Sequence, residues 1–442
     1  KTTGKIEAHE LRAVLLSFSF VFTILASYYI LRPVRDAMSS DWSDAQLSTI
    51  WTFTFLISFF VVSLYGYACS KIKFKLLVPS IYGIFALTFY FLFLLTNFFP
   101  SLNLINQIFY VWVSVFSLLN ISVFWSFMAD TYNKEQAKRL FGFIAAGSSL
   151  GAFCGPLITI LFAKTVGSNG LILISATMLF IPVLIAIFLQ RIKETELQNT
   201  TPSEFNEQPM GAKIFSGFKE LGLNPILLGI GIFIVLYSGM NTIFYYALKN
   251  FLTDVDQATR TQIWAGIDLA VNVLSVLTAM FGTGRLASRF GLSVTLPLVP
   301  MIITILLFIF ALSPMLWTFV GLQIVRRAGE YAITKPAREM LFTTVDRESR
   351  FKAKSVIDVV IYRGADVSWG WIYTSLTQLL GFGLAGIAVI GALIASIWSF
   401  LAVYLGRYFD NHQITETAEK RYILNVHDVV NKVFAVIWIT IQ

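Results

Sequence analysis

Residues 11–36 of the chain read LRAVLLSFSFVFTILASYYILRPVRD. The stretch opens with about 20 mostly apolar residues, the length that a helix needs to cross the hydrocarbon core of a bilayer. Charged side chains then follow at Arg32, Arg35 and Asp36. We therefore predict a membrane-spanning helix that ends in a charged segment.

Eleven further apolar segments follow the first one. Hydrophobic residues make up 56% of the 442 residues and charged residues only 13%, and the mean hydropathy is +0.72. These values exclude an ordinary soluble fold. We predict an all-α polytopic membrane protein of about twelve transmembrane helices. The segments lie at residues 11–30, 47–69, 76–98, 107–130, 141–163, 171–189, 225–248, 263–281, 292–312, 316–333, 356–380 and 384–405.

The basic residues are distributed unevenly between the two sets of loops. If the N-terminus is cytoplasmic, 25 of the 33 Lys and Arg residues lie on the cytoplasmic side, five lie on the opposite side and three lie within spans. Cytoplasmic loops carry such an excess, so we expect both termini in the cytoplasm. The formal net charge of +8 then indicates contact with lipid headgroups, and no nucleic-acid-binding pattern accompanies it.

The chain divides into two similar halves. The polar residues 190–224 predict a cytoplasmic linker between six-helix halves at 1–189 and 225–405, with a cytoplasmic tail at 406–442. Short motifs recur between the halves: GYACSK at 66–71 matches GRLASR at 284–289, and Asp130 matches Asp346. The arrangement resembles the major facilitator fold, which has a central site near the bilayer midplane.

No signature of an enzyme is present in the sequence. Phosphate-binding loops, metalloprotease motifs and nucleophile elbows are missing, and the three histidines lie near the termini. The two cysteines lack metal-ligand spacing. We therefore expect no catalysis, no cofactor and no metal.

Charged side chains at membrane depth are the first candidates for function, because they are costly there unless paired or hydrated. The tenth span contains Arg326, Arg327 and Glu330, and the eleventh contains Arg363 and Asp366. Arg326 and Glu330 are four residues apart and can pair, whereas Arg327 has no such partner in its helix. The set fits either an interhelical salt-bridge network or a site that recognises an anion through guanidinium groups.

Four residues of other spans are also candidates, each with a structural alternative. Arg35 follows Pro33 and can point into a cavity or mark an ordinary helix end. Asp130 can line the cavity or begin a charged loop. Asn241 can shape a pocket or form a hydrogen bond to another helix. Tyr28 can stack on a planar base or pack against neighbouring helices.

The fifth span contains glycines at four-residue spacing. Gly147, Gly151 and Gly155 allow close contact with another helix backbone. With Pro156, the last two also resemble the Gly-xxx-Gly-Pro signature of major facilitator antiporters.

Several segments together resemble the ATP:ADP translocase family, the nucleotide exchangers of plastids and intracellular bacteria and their bacterial relatives. The resemblance covers most of the chain and implies nucleotide transport across a bacterial inner membrane, with Arg35 and Asp130 at important positions. The segments are YILRPVRD (29–36), FWSFMAD (124–130) with EQAKR (135–139), and KPAREM (335–340) through DRES (346–349) to KSVIDVV (354–360).

The chain departs from that family at two charged positions. The glutamate of the seventh helix has no counterpart between Asn241 and Tyr246, and the lysine late in the eleventh helix falls near Asp366, with Arg363 beside it as a substitute. Loss or reversal of charge at a phosphate site alters recognition.

Three functions therefore remain open. The first is a secondary transporter that moves ATP, ADP or another phosphorylated anion by alternating access, with exchange as one form. The second is a carrier or exporter of another organic anion, with protons as coupling ion. The third is a membrane receptor or scaffold that transports nothing, although intramembrane charges argue against it.

Overall fold

The computed structural model describes residues 6–99, 102–197, 220–281, 286, 289–346, 349–350, 353–354 and 356–441. Within these ranges the secondary structure is helical, without β-strands. This agrees with the all-α fold that the apolar segments predict, because a helix satisfies every backbone polar group within its own segment inside a bilayer.

The N-terminal half consists of long apolar helices with polar caps. The Ser43 hydroxyl accepts a hydrogen bond from the Gln46 backbone N–H, and the Ser43 backbone N–H donates one to the Gln46 side chain, which fixes the start of the second helix. Asn133 and Gln136 form the same arrangement before the fifth helix. The helices are α1 (Leu11–Met38), α2 (Asp44–Lys71), α3 (Phe74–Phe98), α4 (Asn103–Thr131), α5 (Lys134–Met178) and α6 (Phe180–Thr195).

Helix α1 packs against α5 through the predicted glycine stripe. A Cβ atom at Gly147 would lie 2.6 Å from the carbonyl oxygen of Phe18, and one at Gly155 would lie 2.6 Å from that of Ala26. A Cβ atom at Gly151, which lies between these two glycines, would be closer still to the α1 backbone. The stripe thus permits a backbone approach that larger residues would block, and it holds α1 in place.

The chain reverses direction within α5 at Gly167. Its φ of 67° is a left-handed conformation that favours glycine. Before it, α5 runs in the same direction as α1. After it, the Ser175 hydroxyl donates a hydrogen bond to the carbonyl of Ser27, and Glu196 forms an ion pair with Arg12. Later residues therefore contact earlier positions of α1, so this part runs back along α1. The end of α5 and α6 therefore form the sixth crossing.

The C-terminal half repeats the arrangement, but two of its helices contain π-helical turns. Such turns occur frequently at functional sites. The helices are α7 (Pro225–Phe251), α8 (Gln257–Phe281), α9 (Leu292–Leu312), α10 (Leu316–Gly329, a π turn at Glu330–Thr334, then Lys335–Leu341), α11 (a π turn at Val356–Ile361, then Tyr362–Thr374 and a π turn at Ser375–Leu379) and α12 (Leu384–Ile441).

The predicted number of crossings agrees with the structure. Nine helices in the described residues are long and apolar enough to span a membrane. One of them, Lys134–Lys193, contains two crossings because of the turn at Gly167. Helices α10 and α11 add two more that carry charged residues and π turns. The exterior is strongly apolar, with Phe60 at 66% exposure and Leu312 at 87%, as a lipid-facing surface requires.

The predicted division into halves, linker and tail stays a prediction, because the structure describes only part of it. Helix α6 ends at Thr195 and α7 begins at Pro225, where Asn224 caps it. Most of the predicted linker, residues 198–219, lies outside the described residues, as does most of the motif at 284–289. The predicted tail begins within α12, which continues as a helix to Ile441.

Candidate functional site

A cavity of about 240 Å³ lies between the two halves. Helices α1, α2 and α4 of the N-terminal half and α7, α8, α10 and α11 of the C-terminal half contribute to its wall. Its described lining residues fall into three chemical groups. They are the arginines Arg32, Arg35, Arg327 and Arg363, the aromatic residues Tyr28, Trp51, Phe55, Tyr110, Tyr245, Trp264, Tyr331 and Tyr362, and the remaining residues Thr54, Ser114, Ser117, Asn241, Gln323, Asp366 and Val367.

Arg35 reaches the cavity from the last turns of α1. The helix continues through Pro33 to Met38, so no break is needed to aim the side chain inward. Its Nη2 and Nε atoms lie 2.6 and 2.8 Å from Oδ1 of Asp36, and its guanidinium lies 5.2 Å from the centre of the Tyr110 ring. A cation held over an aromatic face in this way is stabilised by the ring quadrupole.

Arg32 and Arg327 share a buried carboxylate, Asp268 of α8. Arg327 Nη2 lies 2.6 Å from Asp268 Oδ1, and Arg32 Nη1 lies 3.7 Å from the same atom. Arg32 Nε also lies 3.6 Å from Asp36 Oδ2. The partner of Arg327, which its own helix does not supply, therefore comes from α8.

Arg363 differs from the other cavity arginines. No carboxylate of the described residues lies within 4.0 Å of its guanidinium. Asp366, three residues further along α11, accepts a hydrogen bond of 2.6 Å from Ser238 instead. Arg363 is therefore the cavity arginine whose donors are least engaged by acidic protein groups.

Arg326 and Glu330 belong to a buried network behind the cavity wall. Their side chains form an ion pair at 3.5 Å, and Arg326 donates hydrogen bonds of 3.1 Å to both Gln323 and Asn241. Tyr237 donates to Glu330. Gln323 and Asn241 line the cavity, whereas neither member of the ion pair is among the described lining residues.

Asp130 does not join this cavity in the structure. It lies at the end of α4, where Lys193 of α6 pairs with it at 2.7 Å. Both side chains are mostly buried. The pair connects two helices of the N-terminal half, so the structure places Asp130 apart from the other candidate residues.

Four aromatic residues of the cavity, Trp51, Tyr110, Tyr245 and Trp264, form a group that we call the aromatic wall, and none of them is among the predicted site residues. Trp51 and Trp264 both pack against Tyr245, and their ring centres lie 5.4 and 5.3 Å from its own. Trp51 Nε1 donates to the Tyr110 hydroxyl at 2.8 Å, which donates to Tyr245 at 3.1 Å. In a chain with 15% aromatic residues, no sequence signal marks these rings.

A layer of polar contacts between the halves closes the bundle on the face opposite the N-terminus. Lys249 at the end of α7 pairs with Asp44 at the start of α2 at 2.7 Å, and both are buried. Thr377 donates to the same aspartate at 2.8 Å. Ser48 lies 2.8 Å from the Tyr246 hydroxyl. We call these five residues the seal.

The segments KPAREM and KSVIDVV, which carry part of the family resemblance, form an ion-pair cluster outside the cavity. Arg338 Nη2 lies 2.7 Å from Glu339 and 3.5 Å from Asp358, and Lys354 also pairs with Glu339. The cluster joins the end of α10 to the start of α11. It therefore fixes the relative position of two helices that carry cavity arginines.

The fold agrees with comparisons to known proteins. The model of the Major Facilitator Superfamily matches residues 13–333. The chain belongs to this superfamily. It is accordingly a multi-pass membrane transporter, and its cavity occupies the place between the halves where the superfamily binds solutes.

The proteins similar to this chain include one ADP,ATP carrier and transporters of other solutes. The chain is similar to ADP,ATP carrier protein 1 of Chlamydia pneumoniae, with 22% identity over 477 aligned positions that cover 91% of this chain and 92% of the relative. Among solved structures, the nucleoside transporter NupG superposes with a TM-score of 0.61 at 12% identity, covering 90% of this chain and 99% of that one. An auto-inhibited peptide transporter of the POT family gives 0.62 at 13%, covering 90% and 96%.

Proposed function

We propose that this protein is a secondary transporter that binds an anionic, nucleotide-type solute in the central cavity and moves it by alternating access. The observation that carries the proposal is the meeting of four arginines and eight aromatic rings, among the described residues, in one cavity. Neither group alone would indicate a nucleotide. Together they offer partners for phosphate and for a planar base.

The arginines suit the phosphate part of such a solute. A guanidinium group has five N–H donors in a planar fork that matches phosphate oxygens. Arg363 has no ion pair among the described residues, and the other three arginines share two aspartates. Positive charge therefore remains in the cavity, where the low dielectric strengthens attraction to an anion.

The aromatic wall suits the base of the solute. Stacking on aromatic side chains is worth roughly 1–3 kcal/mol per base. The hydrogen bonds of Trp51, Tyr110 and Tyr245 fix the orientation of their rings. The cavity of about 240 Å³ lies a little below the volumes usual for small-molecule sites, about 300–1,000 Å³, so a whole nucleotide requires the cavity to widen as the halves move apart.

The similarity to an ADP,ATP carrier supports ATP and ADP as the first solutes to test. We propose exchange as one form of the transport. We propose a location in a bacterial inner membrane with both termini in the cytoplasm, following the charge distribution of the loops. The seal then lies on the outer side, and the described conformation is closed to the outside.

Transport in proteoliposomes tests the proposal. Labelled ATP and ADP should enter vesicles that contain the protein, and both should raise its unfolding temperature in a thermal-shift titration. The variant Arg35→Gln should transport less. The matched control is Arg12→Gln, because Arg12 is 79% exposed at the far end of α1. Folded protein that neither binds nor moves nucleotides would refute the nucleotide proposal.

The mode of transport requires a separate measurement. Exchange predicts that vesicles preloaded with ADP take up ATP much faster than vesicles without internal nucleotide. Equal rates in both would indicate uniport or cotransport.

Proton-coupled transport of another organic anion is a second candidate, favoured by Asp366. Among the described residues, Asp366 is the one carboxylate that lines the cavity. It accepts a hydrogen bond of 2.6 Å from the Ser238 hydroxyl. Intramembrane carboxylates commonly serve as proton relays in transporters. If this candidate holds, a pH gradient should drive uptake, and Asp366→Asn should abolish that dependence.

A further inference from the structure

Two buried aspartates that do not line the cavity form ion pairs with arginines that do. Asp36 is 1% exposed and Asp268 is 2% exposed, and neither is among the described residues that line the cavity. Each contacts arginines that do line it. The aspartates therefore act on a solute only through the arginines.

The contacts form one continuous chain of charges across the two halves. Arg35 pairs with Asp36, which also contacts Arg32. Arg32 contacts Asp268 of α8, which pairs with Arg327 of α10. Charges alternate in sign along this chain, and it begins in the N-terminal half and ends in the C-terminal half.

The chain contains three positive and two negative groups. Because Arg32 and Arg327 contact the same oxygen of Asp268, their guanidinium groups are neighbours and would repel each other strongly without that carboxylate. A solute with several anionic oxygens offers these guanidiniums more negative charge than one carboxylate does. Solute and aspartate thus compete for the same donors.

Asp36 is in addition bonded from the opposite half. Its Oδ1 atom accepts from Arg35 Nε at 2.8 Å, and the Tyr245 hydroxyl of α7 donates to it at 3.1 Å. An anion that draws Arg35 away changes the charge environment of a contact that connects the halves. Solute binding and the closure of the bundle are therefore linked at this residue.

We propose that Asp36 and Asp268 are resident counter-anions. These positioning residues pair with Arg32, Arg35 and Arg327 in the unliganded transporter. When the solute binds, its anionic oxygens replace the aspartates as partners of the arginines. The proposal rests on the proposed function for the identity of the solute, but its competition argument applies to any polyanion. The return of each aspartate to its arginines then promotes release of the solute.

The test compares wild type with Asp268→Asn, which keeps the size of the side chain and removes its charge. Full-length protein is titrated with ATP and with tripolyphosphate, and transport is measured in proteoliposomes. Removing a charged partner that competes for two guanidiniums should tighten binding by about tenfold. Turnover should fall, because release loses the competing carboxylate. KM and kcat should therefore both decrease.

A purely structural role of Asp268 predicts a different result. Binding would then be weaker or unchanged in Asp268→Asn, and this outcome overturns the proposal. Asp268→Glu retains the charge and should restore values near wild type. If Asp268→Asn does not yield folded protein, Asp36→Asn tests the same competition at the other carboxylate, with the same expected tightening.

The outcome also separates this proposal from the nucleotide assignment. If wild type does not bind ATP but Asp268→Asn binds tripolyphosphate more tightly than wild type does, the counter-anion proposal holds and the nucleotide assignment fails. If wild type binds ATP and Asp268→Asn binds it no more tightly, the nucleotide assignment holds and the counter-anion proposal fails. If neither protein binds either probe, both fail.

Discussion

Replacement of Arg363 by glutamine is the perturbation that separates solute recognition from stability most cleanly. The side chain lines the cavity, and it makes no ion pair with a carboxylate within 4.0 Å in the described part of the chain. Removing its charge therefore leaves no paired acid behind. Asp366 retains its hydrogen bond from Ser238.

The expected magnitude follows from the chemistry of the lost contact. A hydrogen bond that involves a charged group contributes about 1.5–3 kcal/mol, which corresponds to roughly 10- to 150-fold in the dissociation constant of an anion. The unfolding temperature without solute should stay close to that of wild type. By contrast, Arg327→Gln leaves Asp268 buried with Arg32 at 3.7 Å, and breaking a buried pair in this way costs about 3–5 kcal/mol.

The assay is a binding titration with ATP and ADP, together with initial uptake rates in proteoliposomes. Arg12→Gln serves as the matched control, since it removes the same charge at an exposed position. Arg363→Lys keeps the charge but loses the planar fork, so it should recover part of the affinity. Size-exclusion profiles establish that each variant is folded.

One result would refute the reasoning. If folded Arg363→Gln binds and transports nucleotides as wild type does, Arg363 does not contact the solute, and the positive charge that matters lies with the paired arginines. A large loss of stability would equally contradict the structural argument, because it would show that Arg363 supports the fold.

Three further variants test other parts of the structure. Gly151→Val should lower the unfolding temperature or prevent folding, because its Cβ has no space against α1, whereas Gly66→Val should be tolerated, since nothing lies within 4 Å of a Cβ there. Asp44→Asn should weaken the seal by removing the charge that Lys249 faces at 2.7 Å, and we expect faster labelling of single cysteines placed in the cavity by a membrane-impermeant thiol reagent added outside. Asp130→Asn should reduce stability but leave nucleotide affinity within about twofold of wild type, because the residue lies outside the cavity; a tenfold loss of affinity would contradict that placement.

Much of the fold follows from local sequence patterns. Apolar length predicts each crossing, and the glycines at 147, 151 and 155 predict a close helix contact, which the structure shows to be with α1. Arg326 and Glu330 pair as their four-residue spacing suggests. These features depend on residues within one helix or on the length of one segment. Helical periodicity is therefore sufficient to infer them.

Contacts between helices far apart in sequence could not be inferred in this way. The partner of Arg327 is Asp268, and that of Asp130 is Lys193. Residue spacing does not indicate which helix faces which, or at what depth two side chains meet. The aromatic wall escaped notice for the same reason, since its rings come from four helices.

The sequence by itself determined that this is a helical membrane protein of two halves with arginines at membrane depth, because hydrophobic length and charge distribution are properties of single segments. Only the tertiary structure decided which arginines line the cavity, which aspartates neutralise them and which acids lie elsewhere. The physical reason is distance. Coulombic energy depends on the separation of charges, and helix packing fixes that separation for residues as remote as Arg32 and Asp268.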